Sequence, residues 1–442
     1  MTFDELNLNK SLLNALDDLG YTTPTTIQQK VFSVVMSGKD VYGIAQTGTG
    51  KTLAYLLPCL RQFQFSKEKI PQLVIIVPTR ELVVQVVESA KKLTKYMNLL
   101  VVGVYGGVNL KPQVAEVSNG VDILVATPGR LVDLLASGVV KPKAIKKFVI
   151  DEADEMLNLG FRAQLKLILD TLPVKRQNLL FSATITDEVE ELMQTYFNHP
   201  VKVEATPAGT PLENIYQMAY DVPNFNTKVN LLELLLGHDP DMVKVLVFVA
   251  TKHLADLVYE QLGREFGEQL GVIHSNKAQT QRFEAVNRFE SGECRVLIAT
   301  DIIARGLDVV EVSHVINFDM PEHPETYIHR IGRTGRVDKK GIAISFITEN
   351  EKEQQEAIEN LMQQPIPVRP LPKHLEISDE LISEEIPRSY LKIPEVKIIK
   401  SETFGGAFHV KSEKNQKVNV RRNHAEEMMK KYGKPIRKSR KK

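Results

Sequence analysis

One short segment of the chain has the residues needed to bind the phosphates of a nucleotide. It is AQTGTGKT at positions 45–52. Two glycines let the backbone turn so that successive N–H groups face an anion, and the helix expected to follow adds its positive N-terminal end. Lys51 would supply a point charge for the β- and γ-phosphates, and the hydroxyl of Thr52 would ligate Mg²⁺. The predicted nucleotide-binding residues of this phosphate loop are Ala45, Gln46, Thr47, Gly48, Thr49, Gly50, Lys51 and Thr52.

A second segment would complete the catalytic site. The sequence Asp-Glu-Ala-Asp at positions 151–154 directly follows an apolar run at 148–150. Asp151, at the end of a buried strand, would hold Mg²⁺ directly or through water, and Glu152 would orient and deprotonate the attacking water. Taken alone, a run of acids is as often a solvated first helical turn, and a glycine-rich loop can be an ordinary turn. The two segments together predict hydrolysis of a nucleoside triphosphate, although the first opens with Ala45 where the usual pattern has glycine.

The composition is that of an ordinary globular protein. The chain has 442 residues, of which 43% are hydrophobic and 25% are charged, enough for two or three domains. No apolar stretch reaches the roughly 18 residues that a membrane span needs, and the N-terminus does not resemble a signal peptide. We therefore expect a cytoplasmic protein with no membrane partner. Cys59 and Cys294 lie far apart in sequence without a metal-binding pattern, so neither a disulfide nor a zinc site is expected.

The net charge of +1 conceals an asymmetry. Residues 411–442 contain thirteen Lys or Arg and three Glu, a local charge of +10, so the preceding residues carry about −9. A basic tail of this kind binds polyanions by releasing counterions, with little sequence preference. The alternative is a disordered, solubilising end.

Short apolar runs alternate with amphipathic stretches, the pattern of parallel sheets flanked by helices. In the first half the runs are 73–77, 99–104, 121–126, 148–150 and 178–181, and in the second they are 243–249, 270–273, 295–300, 312–318 and 341–347. Two prolines and a glycine at 206–211 predict a linker between the halves, and four prolines at 365–372 predict the end of the second. The chain is thus predicted to be α/β, with domains at 1–205 and 218–365, a linker at 206–217 and an extension at 366–442.

Further motifs fall at strand ends, where parallel sheets bind ligands. Together with the two segments above, they resemble in their order the DEAD-box ATP-dependent RNA helicases over roughly residues 1–365. The additional motifs are PTREL at 78–82, Gly106-Gly107, TPGR at 127–130, SAT at 182–184, Gln279 with Arg282, ATD at 299–301, ARGLD at 304–308 and HRIGRTGR at 329–336. The resemblance implies two tandem RecA-like domains that bind ATP, Mg²⁺ and RNA, and the placement of the basic tail resembles the bacterial RhlE-like branch.

The N-terminal segment resembles the adenine-recognition motif of that family. It runs from residue 20 to Gln28, with Phe3 seventeen residues upstream of Gly20. The amide of Gln28 has a donor beside an acceptor, which matches the N6 and N7 atoms of adenine. Phe3 could stack on the base, and Tyr21 is also expected to contact the nucleotide. Thr26 stands where the family usually has proline, a change that leaves Gln28 in place.

The arginines at 330, 333 and 336 recur at every third position and are predicted to project from one side of a helical turn. The resemblance implies that Arg333 and Arg336 reach the γ-phosphate as arginine fingers from the second domain, where Gly306 and Asp308 would also contact the nucleotide. Such fingers are worth about 10³ to 10⁵ in rate. The alternative is a solvated basic face. If the fingers act, hydrolysis requires the two domains to close.

RNA is expected to lie across the same two domains. By resemblance its contacts are Thr79, Arg80, Gly107, Thr127, Arg130, Arg282 and Thr300. These residue types suit a sugar-phosphate backbone, and no base-recognition module is evident in the sequence. Ser182 and Thr184 are predicted to bond to the acidic motif and, with Asp154 and His329, to couple the ATP and RNA sites. Alternatively, Thr184 or Thr186 caps the next helix.

The predicted function is RNA-stimulated ATP hydrolysis coupled to domain closure, with local, non-processive unwinding of short duplexes or remodelling of RNA-protein complexes. Two alternatives remain at this point: a DNA-directed helicase of the same superfamily 2, and an ATP-gated RNA clamp or assembly scaffold. We expect a monomeric core, with proteins of ribosome assembly or RNA decay as candidate partners.

Overall fold

The computed structural model describes residues 2–45, 49–204, 214–301, 312–335 and 340–386, and in the tail residues 429, 431 and 433. The chain divides into two compact units, Met1–Ile386 and Pro387–Lys442. All elements below belong to the first. The predictions for Gln46, Thr47, Gly48, Gly306, Asp308 and Arg336 lie outside the described residues, as do those for nearly all of the basic tail.

The first domain contains a sheet of seven parallel strands in the order β3-β4-β2-β5-β6-β1-β7. The strands are β1 (Val41–Ile44), β2 (Leu73–Ile76), β3 (Val101–Val104), β4 (Ile123–Ala126), β5 (Lys147–Ile150), β6 (Gln177–Ser182) and β7 (Val201–Glu204). The described helices are α1 (Lys10–Asp18), α2 (Thr26–Met36), α3 (Lys51–Arg61), α4 (Arg80–Leu93), α5 (Leu110–Ser118), α6 (Pro128–Ala136), α7 (Ala153–Asn158), α8 (Arg162–Thr171) and α9 (Asp187–Tyr196), with 3₁₀ turns at Phe3–Leu6 and Pro142–Ala144.

Both faces of this sheet are covered because its strands are apolar on both sides. Alternate strand residues enter two separate cores: Val41, Ile75 and Val149 face α1 to α4, whereas Ile76 and Ile150 face the helices from α5 onward. Burial on both faces is what the near-continuous apolar runs in the sequence predict for parallel strands. The α/β fold class is confirmed.

The second domain repeats the design, with strand order β10-β11-β9-β12-β13-β8-β14, again all parallel. The strands are β8 (Ile215–Asp221), β9 (Val245–Phe248), β10 (Leu270–Ile273), β11 (Val296–Ala299), β12 (His314–Asn317), β13 (Gly341–Ile347) and β14 (Val368–Arg369). The described helices are α10 (Phe225–His238), α11 (Lys252–Phe266), α12 (Gln279–Ser291), α13 (Pro324–Ile331) and α14 (Lys352–Met362), with 3₁₀ turns at Gly267–Gln269 and Glu349–Glu351. None of the helices in the described ranges could cross a membrane.

Two predicted boundaries of the second domain are wrong. Strand β8 begins at Ile215, inside the predicted linker, and it pairs along its whole length with β13. At the other end, residues beyond 365 remain part of the domain, because β14 pairs with β8. The two-residue β14 is too short to show any apolar periodicity, and the prolines around it end helical structure without ending the domain.

Residues 371–386 form a strap that packs on the second domain. Its Leu371, Leu375 and Ile382 contact the core beneath α10 and α11. Three asparagine amides at the start of α10 donate to strap carbonyls at 2.5 to 2.9 Å: Asn224 to Ser378, Asn226 to Glu380 and Asn230 to Glu376. A carboxylate oxygen of Glu385 accepts from the Phe225 N–H at 2.6 Å, which satisfies a donor at the helix N-terminus.

Three neighbouring strands deliver the predicted nucleotide motifs to one edge of the first sheet. Strand β6 lies between β1 and β5, with Ile44 beside Ser182 and Ile150 beside Leu180. Because the strands are parallel, the phosphate loop after β1, the acids after β5 and the SAT motif at the end of β6 leave from the same side.

Candidate nucleotide and nucleic-acid site

The adenine-recognition segment is tied directly to the phosphate loop. Gln28 donates through Nε2 to the Gly50 carbonyl at 3.2 Å, and its Oε1 accepts from the Thr25 N–H at 2.9 Å. The Thr25 hydroxyl donates to the Thr49 carbonyl at 2.9 Å. Gly50 has a φ of +87°, and a Cβ there would lie 2.3 Å from Gln28 Nε2, so the contact requires glycine. Both polar atoms of the Gln28 amide are thus engaged with the protein, at the Gly50 carbonyl and the Thr25 N–H, and the contact of Gln28 with adenine stays a prediction.

Lys51 is placed to receive an anion. It is the first residue of α3, its side chain is buried, and its Nζ has no hydrogen-bond partner among the described residues. Burying an ammonium group costs free energy unless an anion binds beside it. A triphosphate supplies that charge. The Thr52 hydroxyl follows in the same helical turn, and the buried Asp151 carboxylate lies close enough to Lys51 for the lysine charge to affect its pKa. A hydroxyl and a carboxylate are oxygen donors of the kind that Mg²⁺ prefers, so these two residues would hold the ion.

The two acids at the end of β5 are both buried. Burial raises the pKa of Asp151, while Lys51 opposes the rise. Burial likewise raises the pKa of Glu152 to about 7, with Lys51, Arg333 and His329 pulling in the opposite direction. Glu152 also has a φ of 56°, which is uncommon for a residue with a Cβ and costs on the order of 1 kcal/mol. Its strained backbone and raised pKa are typical of a functional base.

Asp154 is the acid that binds the SAT motif, as predicted. Its Oδ2 accepts from the Ala183 N–H, the Thr184 N–H and the Thr184 hydroxyl at 2.8 to 3.1 Å, and the Asp154 N–H donates to the Ser182 hydroxyl at 3.3 Å. Burial would raise the pKa of Asp154, but His329, Lys51 and these hydroxyls outweigh it and lower the pKa. The capping alternative is met by Thr186, whose hydroxyl accepts from Val189 N–H at the start of α9.

His329 and Arg333 bring the second domain to these acids. Nε2 of His329 lies 3.7 Å from Asp154 Oδ2, and its Nδ1 lies 3.5 Å from Glu155 Oε2. Arg333 is buried, and its charge opposes the rise in the pKa of Glu152. The structure therefore places a second-domain arginine within electrostatic reach of the proposed base, as the finger prediction requires.

The predicted row of three arginines on one helical face is wrong. Helix α13 ends at Ile331, so Arg333 lies beyond it. Arg330 points into its own domain, where the guanidinium binds the Asp301 carboxylate at 2.6 and 2.8 Å and the Asp319 carbonyl at 2.6 Å. The spacing of the arginines in the sequence could not show that the charge of Arg330 is neutralised by Asp301 within the second domain.

The two aromatic residues predicted to contact the nucleotide differ in their exposure to solvent. Phe3 is 4% exposed and packs in the hydrophobic core of the first domain. Tyr21 is 48% exposed. The contacts of both rings with the base stay predictions, and the exposed ring of Tyr21 could make one without displacing core contacts.

Several predicted RNA contacts lie at the same edge of the first sheet. Thr79 accepts from Leu82 N–H at 3.3 Å, and Thr127 accepts from Gly106 N–H at 3.2 Å. A hydroxyl that accepts can still donate to a phosphate. Arg80 covers Gly107, where φ is +75° and a Cβ would lie 1.7 Å from the guanidinium.

Two predicted RNA-binding arginines have protein partners. The buried Arg130 donates to the Gln113 side chain at 2.8 Å and the Val108 carbonyl at 2.9 Å, which fixes the loop after β3. Arg282 forms a buried ion pair with Glu81 of the first domain. Their RNA contacts stay predictions, as does that of Thr300, which is buried just beyond β11.

Glu81 and Glu155 are site residues that the sequence did not reveal. Glu81 joins the domains, because it binds Arg282 and accepts from Gln279 Nε2 at 3.0 Å, while Arg80 donates to Gln279 Oε1 at 3.4 Å. Glu81 belongs to the PTREL motif, and its position among the predicted RNA contacts Thr79 and Arg80 was the sequence signal that could have identified it. Glu155 directly follows the acidic motif. Acidic residues are common in the first turn of a helix, so its sequence position does not distinguish a site residue from an ordinary one.

Comparisons with known proteins agree with this geometry. The family model described as DEAD/DEAH box helicase matches residues 25–192, and the model described as Helicase conserved C-terminal domain matches residues 227–338. RNA helicase CrhR of Synechocystis is 38% identical over 384 residues, covering 87% of this chain and 77% of the relative. DEAD-box ATP-dependent RNA helicase CshA of Bacillus cereus is 38% identical over 358 residues, covering 81% and 67% respectively.

Among solved structures, S. cerevisiae Dbp5 bound to RNA and ADP BeF3 is similar to this chain. The TM-score is 0.76 with 31% sequence identity, and the match covers 84% of this chain and 95% of Dbp5. The similarity spans both sheets.

Proposed function

This chain belongs to the DEAD-box ATP-dependent RNA helicases, and we propose from that premise how its two domains join ATP hydrolysis to RNA binding. It is an ATP-dependent RNA helicase that binds and hydrolyses ATP and has RNA as its partner. In the proposed cycle, ATP and single-stranded RNA close the domains, the closed state bends the bound strand, and a short duplex separates locally. Hydrolysis then reopens the protein, since loss of the γ-phosphate removes the ligand that favours closure.

The approach of His329 to the first-domain acids, together with the electrostatic effect of Arg333 on Glu152, supports this proposal most directly. Glu152 and the buried Lys51 belong to one domain, while Arg333 and His329, whose charges also act on Glu152, belong to the other. A catalytic site divided in this way is complete only when the domains meet. RNA that favours closure would therefore stimulate hydrolysis without touching the phosphates.

The hydrolytic step assigns one role to each side chain. Glu152 accepts a proton from water as the water oxygen bonds to the γ-phosphorus, and the bond from that phosphorus to the β–γ bridging oxygen breaks. Lys51 and Arg333, with Arg336 by resemblance, stabilise the charge that develops on the phosphate oxygens. Thr52 and Asp151 would hold Mg²⁺, which supplies further charge stabilisation when bound.

RNA would be bound through its backbone. We propose that Thr79, Thr127 and the Arg80–Gly107 surface contact phosphates and sugars, because hydroxyls and a guanidinium packed on a glycine are groups that bind a sugar-phosphate backbone. The basic tail at 411–442 would raise the local concentration of RNA without selecting a sequence. Its contribution should fall steeply as salt rises.

A steady-state ATPase assay with single-stranded RNA, single-stranded DNA or neither tests the proposal. Glu152→Gln should abolish RNA-stimulated turnover yet retain ATP binding, and Glu88→Gln, which removes an exposed acid of α4, should behave as wild type. Equal stimulation by DNA would refute closure triggered by RNA. Normal turnover by the Glu152 variant would refute its role as the base.

A second measurement separates unwinding from clamping. Strand separation of a short RNA duplex should require ATP and should exceed the rate of spontaneous melting. If duplex separation is negligible while RNA stays bound for long periods with a non-hydrolysable ATP analogue, the clamp alternative replaces local unwinding.

A further inference from the structure

The imidazole of His329 lies between two carboxylates of the other domain. Nε2 faces Asp154 at 3.7 Å and Nδ1 faces Glu155 at 3.5 Å. All three side chains are removed from solvent: His329 is 5% exposed, Asp154 1% and Glu155 0%. Both acids lie in the first turn of α7, so a single short helix presents both contacts.

Asp154 by itself is a weak partner for this ring. Its Oδ2, the atom nearest to His329, already accepts three hydrogen bonds from Ala183 and Thr184, and its Oδ1 accepts from the Glu155 N–H at 3.0 Å. The distance of 3.7 Å to Nε2 is longer than a hydrogen bond. The orientation of the imidazole therefore depends also on Glu155, whose Oε2 is the nearer carboxylate oxygen at 3.5 Å, an electrostatic contact that is likewise longer than an ordinary hydrogen bond.

We propose that Glu155 is a positioning residue for domain closure, whose carboxylate holds Nδ1 of His329 and thereby aims Nε2 at Asp154. This inference rests on the closure mechanism proposed above and assigns Glu155 a part in it. Because Asp154 also binds Ser182 and Thr184, a correctly held ring connects the second domain to the end of β6.

The burial of the pair gives the contact its strength. Charges that attract weakly in water attract several times more strongly where solvent is excluded, so the carboxylates hold the imidazolium form of His329 most firmly. Glu155 lies in α7 of the first domain and His329 lies in α13 of the second. Their interaction therefore exists only when the two domains meet. Loss of Glu155 should therefore weaken closure without altering how the open protein binds ATP.

A double-mutant cycle on the full chain tests this. Glu155→Gln, His329→Gln and the double variant would be compared with wild type for the RNA concentration that gives half-maximal ATPase, and for interdomain distance by fluorescence energy transfer with RNA and a non-hydrolysable ATP analogue. Each single change should raise the half-maximal RNA concentration about tenfold, with less effect on the rate at saturating RNA. The double variant should be no worse than the poorer single variant, His329→Gln, since that change already removes the contact with Glu155.

Glu188→Gln removes an exposed acid of the same domain and should match wild type. Unchanged RNA dependence of Glu155→Gln, or effects of the two single changes that multiply in the double variant, would overturn the proposal. So would a loss of thermal stability or of ATP affinity without RNA in Glu155→Gln, which would mark a structural role within the first domain. Failure of wild type to close with RNA and analogue would instead refute the closure mechanism itself.

Discussion

Glu81→Gln should weaken domain closure by removing the charge at the centre of a buried interdomain cluster. Glu81 of α4 pairs with Arg282 of α12, 201 positions away in sequence, and also accepts from Gln279 Nε2. Both charged side chains are less than a tenth exposed. A glutamine would keep an acceptor for Gln279 but would leave the Arg282 guanidinium partly buried without its countercharge.

The magnitude follows from the kind of bond that is lost. A hydrogen bond to a charged group contributes about 1.5 to 3 kcal/mol, and truncating one member of a buried charge pair costs about 2 kcal/mol or more. A loss of about 2 kcal/mol corresponds to a factor of about 30 in the equilibrium between closed and open states. The nucleotide site is built elsewhere in the first domain, so ATP affinity without RNA should not change.

The assay is RNA binding, by fluorescence anisotropy, in the presence of a non-hydrolysable ATP analogue. We expect the Glu81 variant to bind RNA about 30-fold more weakly than wild type. Glu88→Gln is the matched control, because it removes the same charge from an exposed position of the same helix. A change of less than threefold, or an equal loss in the control, would show that the buried pair does not contribute to closure.

Two further perturbations follow from local geometry. Gly107→Ala should weaken RNA-stimulated turnover with little effect on ATP binding, because the new Cβ would displace the Arg80 guanidinium and strain a φ of +75°. Gly106→Ala, where a Cβ would meet nothing within 4 Å, is its control, and equal losses would contradict the argument. A chain ending after residue 386 should keep the melting temperature of the second domain, whereas one ending at Pro372 should lower it by several degrees, since it removes most of the strap. Equal melting temperatures would mean that the strap contributes nothing to stability.

The chemistry of the strand-end motifs could be predicted because it depends on local features. A glycine-rich turn followed by Lys51 binds phosphate wherever a strand leads into a helix, and Asp151 needs only the buried strand before it. The apolar runs identified ten strands of the two sheets, since parallel strands are apolar on both faces. Strand β1 was missed because Tyr42 and Gly43 interrupt its short run.

What the prediction missed depends on contacts between distant segments. Residue patterns alone predict two α/β domains, a phosphate loop, an acidic motif and the family to which they belong. The packing of distant segments is needed to show that Glu81 binds Arg282, that Glu155 faces His329, and that residues 371–386 complete the second domain. Periodicity reports which face of an element is buried, but a pairing between groups on separate domains depends on how those domains dock, and no local pattern of residues specifies that.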